Sequence, residues 1–193
     1  STAEQNYQTL VKMGEGIEPP PGSQSDKPFS KFMEIYAALC RFHMKTYGTT
    51  QRQIAAVCAK NHTHSVHNPF SQFRKPFTID EVLAAPPITY PITLPMCAPL
   101  SDGSAAAILC TEEGLKRIGA EKSRCIKVAA SVIRSFTHRG LDQPELNIGR
   151  LAANQAYEIA GLGPKDMHVA EVHDASAMGE IIQAENLGLV ELG

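Results

Sequence analysis

The 193 residues carry no excess of positive charge: eighteen Lys and Arg stand against twenty Asp and Glu, giving a formal net charge of −2 and a pI near 6.4. A field able to hold a nucleic-acid backbone or an anionic membrane is therefore absent, and both partners are excluded. No apolar run approaches the roughly twenty residues a membrane helix needs, and the opening STAEQNYQTL lacks both the basic and the apolar region of a secretory signal. The five cysteines, Cys40, Cys58, Cys97, Cys110 and Cys125, are odd in number and include no C-x-x-C pair. That argues against a disulfide framework or a zinc ribbon and for a reducing, cytoplasmic compartment, with most of the thiols acting as small core hydrophobes. What the chain does have is 43% apolar and 20% charged residues, the balance of one generous globular domain or two small ones with a real core.

Residues 1–26 are polar and end in Pro19, Pro20, Pro21, Gly22 and Ser23, which predicts an exposed loop with order beginning after it. From Lys27 to Tyr47, Phe29, Phe32, Met33, Tyr36, Ala37, Cys40 and Met44 recur at three and four, one buried helical face stopped by Gly48. Thr50 with Gln53 forms a capping box for a second helix running to about Val66, and Thr78 with Glu81 caps a short third one that stops before Pro86-Pro87. Prolines at 86, 87, 91, 95 and 99 then force an extended segment. Beyond the turn Ser101-Asp102-Gly103, strands are predicted at 104–110, 126–133 and 167–172, alternating with helices at 112–118, 148–159 and 176–187. That alternation argues for an α/β layered sheet.

Four groups of residues can carry chemistry. Three histidines crowd into Asn61-His62-Thr63-His64-Ser65-Val66-His67, but on a helix residues two apart point about 200° apart and cannot share an ion. With no acidic residue or second histidine-rich segment beside them, they read as a polar helix end, and no metal is expected. Cys97 sits between Pro95 and Pro99 on extended chain, without the helix N-terminus or histidine that would stabilise a thiolate, so a buried structural thiol is the better reading. The turn at Ser101 to Gly103 feeds a stretch of tiny residues that suits close packing, with Asp102 satisfying turn amides. The sharpest group is Glu171-Val172-His173-Asp174-Ala175-Ser176-Ala177-Met178-Gly179-Glu180, where a short apolar strand runs directly into a helix. A histidine at a strand's carboxyl end can polarise a carbonyl beside helix amides, and Asp174 can orient it or cap the helix. Taken alone, a His-Asp pair is more often structural.

The run Lys60-Asn61-His62-Thr63-His64-Ser65-Val66-His67-Asn68-Pro69-Phe70-Ser71-Gln72-Phe73 resembles the K-N-H-x-H-S-x-x-N-P-[YF]-S-Q-F signature of sterol-carrier-protein-type thiolases and their bacterial lipid-transfer-protein relatives, the latter including acetyl-CoA acetyltransferases. Thr78-Ile79-Asp80-Glu81-Val82 is similar to the segment that follows there. Cys97 to Ala107 resembles C-x-P-x-S-D-G-A-A-A-A with Ser104 for one alanine, and His173-Asp174-Ala175-Ser176 resembles H-D-x-F. Four matches in one order are far more specific than any single one.

The resemblance implies a thiolase-like α/β fold present in part: residues 1–26 an exposed loop, 27–95 a mostly helical loop-domain segment, and 96–193 the first part of the C-terminal α/β half. It implies a thiolase-type acyltransferase on 3-oxoacyl-CoA thioesters, with coenzyme A as substrate and product. A cysteine thiolate attacks, acetyl-CoA leaves as an enolate, and a second coenzyme A removes the acyl group from sulfur. His173 helps build the oxyanion hole for the enolate oxygen, Asp174 orients the corner, and the parent is a homodimer. Two motifs of the family, a C-x-[ST]-G nucleophile start and a later G-H-P, are missing from the 193 residues. The resemblance places both in flanking sequence, so the chain alone is expected to be inactive. Ser176 departs from the family's aromatic residue and leaves the acyl pocket and the reaction type open. The alternatives are a retro-aldol lyase or acyltransferase working with an OB-fold and zinc-ribbon partner, and a non-catalytic subunit that binds CoA esters.

Overall fold

The computed structural model describes residues 3–135, 137, 139–140 and 143–193. Its body is built from helices that close their own hydrogen bonds and announce their ends in sequence. Helix α2 (Lys31–Tyr47) starts where the Ser30 hydroxyl accepts from the Phe32 amide and stops at Gly48, whose φ of 77° closes the last turn. The capping box of Thr50 and Gln53 opens α3 (Gln51–Ser65), and that of Thr78 and Glu81 opens α4 (Ile79–Ala84). A short antiparallel hairpin follows, β1 (Pro87–Thr89) and β2 (Ile92–Thr93), the only sheet among the described residues. Further along come α5 (Glu112–Ile118), α6 (Ile148–Ala160) and α7 (Ala177–Asn186). These helices lie where the apolar periodicity and the glycine stops put them.

One core serves α2, α3, α4, the hairpin and α7. Ala37 and Cys40 of α2, Ile54 and Cys58 of α3, Val82 of α4, Ile92 of β2 and Met178 of α7 meet there. Polar ties hold the hairpin in place: Thr93 donates its hydroxyl to the Val82 carbonyl at 2.7 Å, while Arg41 and Gln51 donate to the carbonyls of Tyr90 and Pro91 at 2.6 and 2.8 Å. Helix α6 is fastened to the end of α7 by Arg150 donating to the Glu185 carbonyl and Tyr157 donating to that of Leu187.

Two sequence expectations are corrected. Residues 3–11, expected as loop, form helix α1 (Ala3–Val11), which has no buried residue but lies on α2. Tyr7 hydrogen-bonds Glu34, Lys31 pairs with Glu4, and Gly14 lets the chain pass so close to α2 that a Cβ there would lie 2.7 Å from the Arg41 guanidinium. These contacts come from tertiary packing, which a local reading of a polar stretch does not register. The second correction concerns the layered sheet. Residues 104–110, 126–133 and 167–172 form no ladder, and Ile108, Leu109, Ile126, Ile133 and Val169 are 79–94% exposed. A helix satisfies its backbone within itself, whereas a strand needs another strand, and none of the three finds one among the described residues.

A buried pair joins α2 to α7. His43 is hydrogen-bonded at Nε2 to Glu185 at 2.9 Å and at Nδ1 to the Thr49 hydroxyl at 2.6 Å, and Glu185 also accepts from the Gly193 amide at 2.9 Å. Burial pushes the Glu185 carboxyl up, but the hydrogen bonds from His43 and Gly193 outweigh it and hold the group below its ordinary value of 4.5. A carboxylate depressed in the folded state adds stability above the unfolded value, and that stability is lost as pH falls through the folded one. Urea unfolding should therefore show a midpoint that drops as pH goes from 6 to 3. Glu185→Gln should be less stable at pH 7 and show a flatter acid limb; an unchanged acid limb would remove the pair from the account.

Candidate functional site

Three segments far apart in sequence converge at the start of α7. The corner His173-Asp174-Ala175-Ser176 leads into the helix, with Ser176 in extended conformation at the N-cap and its carbonyl accepting from the Gly179 amide at 2.8 Å. Residues 97 and 98 run antiparallel to it: Cys97 bridges to Ser176, and the Ala98 amide donates to the Ala175 carbonyl at 3.1 Å. The end of α3 forms the third side. Asn61 donates to Glu180 at 2.7 Å and reaches Asp174 at 3.4 Å, while Lys60 pairs with Glu180 at 2.9 Å. Between them lies a cleft of about 260 Å³ lined by Cys58, Asn61, His62, Cys97 and Asp174, and a wider polar groove of about 690 Å³ opens on the other side of Asn61 and Asp174.

Close backbone packing sets this geometry. A Cβ on Gly179 would lie 3.1 Å from the His173 carbonyl oxygen and 3.2 Å from the Asp174 Cα, so the first turn of α7 sits directly against the corner. His173 itself is exposed and makes no hydrogen bond or ion pair with any described residue. Its imidazole is free to meet a ligand. Asp174 neither caps α7 nor bonds His173; its carboxylate faces Asn61. Ser176 is 1% exposed, and its hydroxyl has no partner among the described residues, although the residue stands where a serine ordinarily caps.

The histidine cluster divides. His62 turns inward, its Nε2 3.3 Å from the Pro95 carbonyl and its ring edge-on to Phe77, while His64 and His67 stay exposed. Among the described residues no three His, Cys, Asp or Glu side chains converge as a metal site would require. The thiols beside the cleft are quiescent. Burial pushes Cys97 up to about 11, and burial together with the neighbouring Cys97 pushes Cys58 up to about 11, so both are protonated at neutral pH. Sequence reasoning took in Lys60, Asn61, Gly179 and Glu180 only as members of longer runs and gave none of them a role. Two of them lie inside the quoted K-N-H run, and the pairing with Glu180 needed the tertiary structure.

Residues 135–193, which include the corner and α7, match the family described as Thiolase C-terminal domain-like. Over 166 residues the chain is 36% identical to sterol carrier protein 2 of Oryctolagus cuniculus, covering 83% of this chain and 30% of that one. It is 35% identical over 160 residues to benzoylsuccinyl-CoA thiolase subunit BbsB of Thauera aromatica, covering 82% of this chain and 41% of that one. It is 33% identical over 192 residues to acetyl-CoA acetyltransferase of Methanothermobacter thermautotrophicus, covering 95% of this chain and 50% of that one. The chain belongs to the thiolase superfamily. It spans 30% to 50% of the length of these relatives, and its mixed helical body with a small sheet agrees with a partial thiolase-like fold.

For this thiolase-superfamily chain, the state of the thiols is directly measurable. Iodoacetamide at pH 7.5 should label the exposed Cys110 and Cys125 first, with Cys58 and Cys97 lagging and gaining rate only as pH rises toward 11. Rapid labelling of Cys97 at neutral pH would make it a reactive thiol and contradict the buried geometry.

Proposed function

We propose that this chain is the middle portion of a thiolase-type acyltransferase acting on 3-oxoacyl-CoA thioesters, with His173 as the donor to the enolate oxygen. Residues 27–95 form its loop-domain segment and residues 96–193 the first part of its C-terminal half; the family match at 135–193 lies within the second of these. The observation that carries the reading is the corner: an exposed imidazole with no protein partner, carried on backbone packed against the start of α7.

Once a cysteine thiolate has added to the 3-oxo carbon, breaking its bond to the neighbouring methylene carbon releases acetyl-CoA as an enolate, with negative charge on the thioester oxygen. An imidazole N–H placed beside that oxygen stabilises the charge as it develops, directly or through a held water. The cysteine that carries the acyl group belongs to a C-x-[ST]-G segment not found among these residues. Cys97 and Cys58, protonated at neutral pH, do not substitute for it. Asp174 anchors the corner. Coenzyme A is substrate and product, and the parent enzyme is a cytoplasmic homodimer.

A second reading has one observation in its favour: a relative at 35% identity is by its printed name a thiolase subunit. In that reading the parent works with a small OB-fold and zinc-ribbon partner, and the serine at position 176 goes with a changed acyl pocket and retro-aldol or acyl-transfer chemistry.

The purified 193 residues should give no coenzyme A-dependent cleavage of acetoacetyl-CoA. In the longer parent, His173→Ala should lower kcat by about a hundredfold or more, the scale for an oxyanion donor. Unchanged turnover would defeat the assignment of His173. Turnover appearing only with the partner subunit present would select the second reading.

A further inference from the structure

The sequence resemblance marks Lys60-Asn61-His62 only as part of a signature, but the structure gives the first two of these residues a task. The Asn61 carboxamide is held at both ends. Its Oδ1 accepts from the Lys60 ammonium at 2.6 Å, and its Nδ2 donates to Glu180 Oε2 at 2.7 Å and reaches Asp174 Oδ2 at 3.4 Å. Lys60 closes the ring by pairing with the other Glu180 oxygen at 2.9 Å. The ammonium fixes which end of the amide is oxygen, so the two-hydrogen end faces the two carboxylates.

We infer that Asn61 is a positioning residue: it ties the His173-Asp174 corner to α3 and α7 and thereby sets where the His173 imidazole stands. The corner has few other anchors. Among the described residues His173 is exposed and unpartnered, the Asp174 side chain bonds only Asn61, and Ala175 is held by the Ala98 amide. Gly179 lets the first turn of α7 lie against the His173 carbonyl, so any movement of the corner displaces the imidazole with it. Two carboxylates, Asp174 and Glu180, approach one nitrogen, and a donor between them prevents their mutual repulsion from opening the corner. The charged and titratable groups around the amide are Cys58, Lys60, His62 and His64 on α3, Cys97 on the segment beside the corner, Glu180 on α7, Glu171 and Asp174 on the corner segment, and Tyr36 of α2, which senses the Asp174 charge.

The role of Asn61 in catalysis rests on the thiolase reading, whereas its hold on the corner does not, and the tests separate the two. In the 193-residue chain, Asn61→Ala should speed exchange of the Ala98 amide, which bonds the Ala175 carbonyl of the corner, by about tenfold, the effect of losing a hydrogen bond to a charged group. The amides of α2 should keep their protection. Unchanged exchange of the Ala98 amide overturns the inference, whatever the protein's activity.

In the active parent, Asn61→Ala should lower kcat by about ten- to a hundredfold with KM for the CoA thioester within about twofold, as expected for a group misplaced by less than an ångström. Asn61→Asp provides the readout that a merely structural role would not move. An ionised carboxyl has no hydrogen to donate and a protonated one has, so kcat relative to the unsubstituted enzyme should recover as pH falls from 8 to 5. A loss that is flat with pH, or a change in KM alone, overturns the positioning role. A parent inactive on every CoA thioester overturns the proposed function and leaves the exchange result standing.

Discussion

The structure depends on how closely α3 can approach α7. Ala55, Cys58 and Ala59 on one helix and Ala177 and Met178 on the other are all buried in the shared core. Small side chains bring the two backbones together, and the end of α3 then falls within hydrogen-bonding reach of the corner ahead of α7. The cleft, the Asn61 bridge and the exposed His173 all follow from that approach. Larger residues in this seam would push α7 and its corner away from Asn61, and overpacking a core of this kind typically costs about 1–3 kcal/mol.

Around that seam the chemistry divides by burial. Cys58 is buried in the core and Cys97 half-buried against it, and burial lowers the acidity of both. The carboxylates Asp174 and Glu180 stay where a donor or an ammonium can meet them. Among the described histidines His62 turns inward against Phe77 and the Pro95 carbonyl, His43 is buried against Glu185, and His64, His67, His168 and His173 are exposed. Of the exposed ones only His173 stands at the corner that leads into α7, which is why the functional reading settles on it.

Much of this was legible in the sequence, and the helices most of all. Ser and Thr caps, Gly48, Gly119 and Gly161, and apolar spacing at three and four are local signals, and a helix closes its hydrogen bonds locally. The strands were not legible in the same way. Small and branched apolar residues at 104–110 and 126–133 do favour extended chain, but a strand forms only where another lies alongside, and none does among the described residues. Helix α1 was missed for a related reason: Tyr7 and Glu4 dock it on α2 through residues about 27 positions away. At the site, His173 and Asp174 stood out because a polar pair interrupts an apolar strand just before a helix. Asn61 and Glu180 did not, because 119 residues separate them and nothing in either neighbourhood names the other.

The central claim is that His173, held at the corner, stabilises an enolate. Its most direct test is the exchange of the acetyl protons of acetyl-CoA with deuterium from solvent, catalysed by the active parent and followed by NMR. With His173→Gln, which keeps a polar side chain but not the imidazole, the account predicts exchange slowed by about a hundredfold while acylation of the nucleophilic cysteine by acetyl-CoA continues. Exchange at the unsubstituted rate would place the enolate elsewhere and contradict the claim.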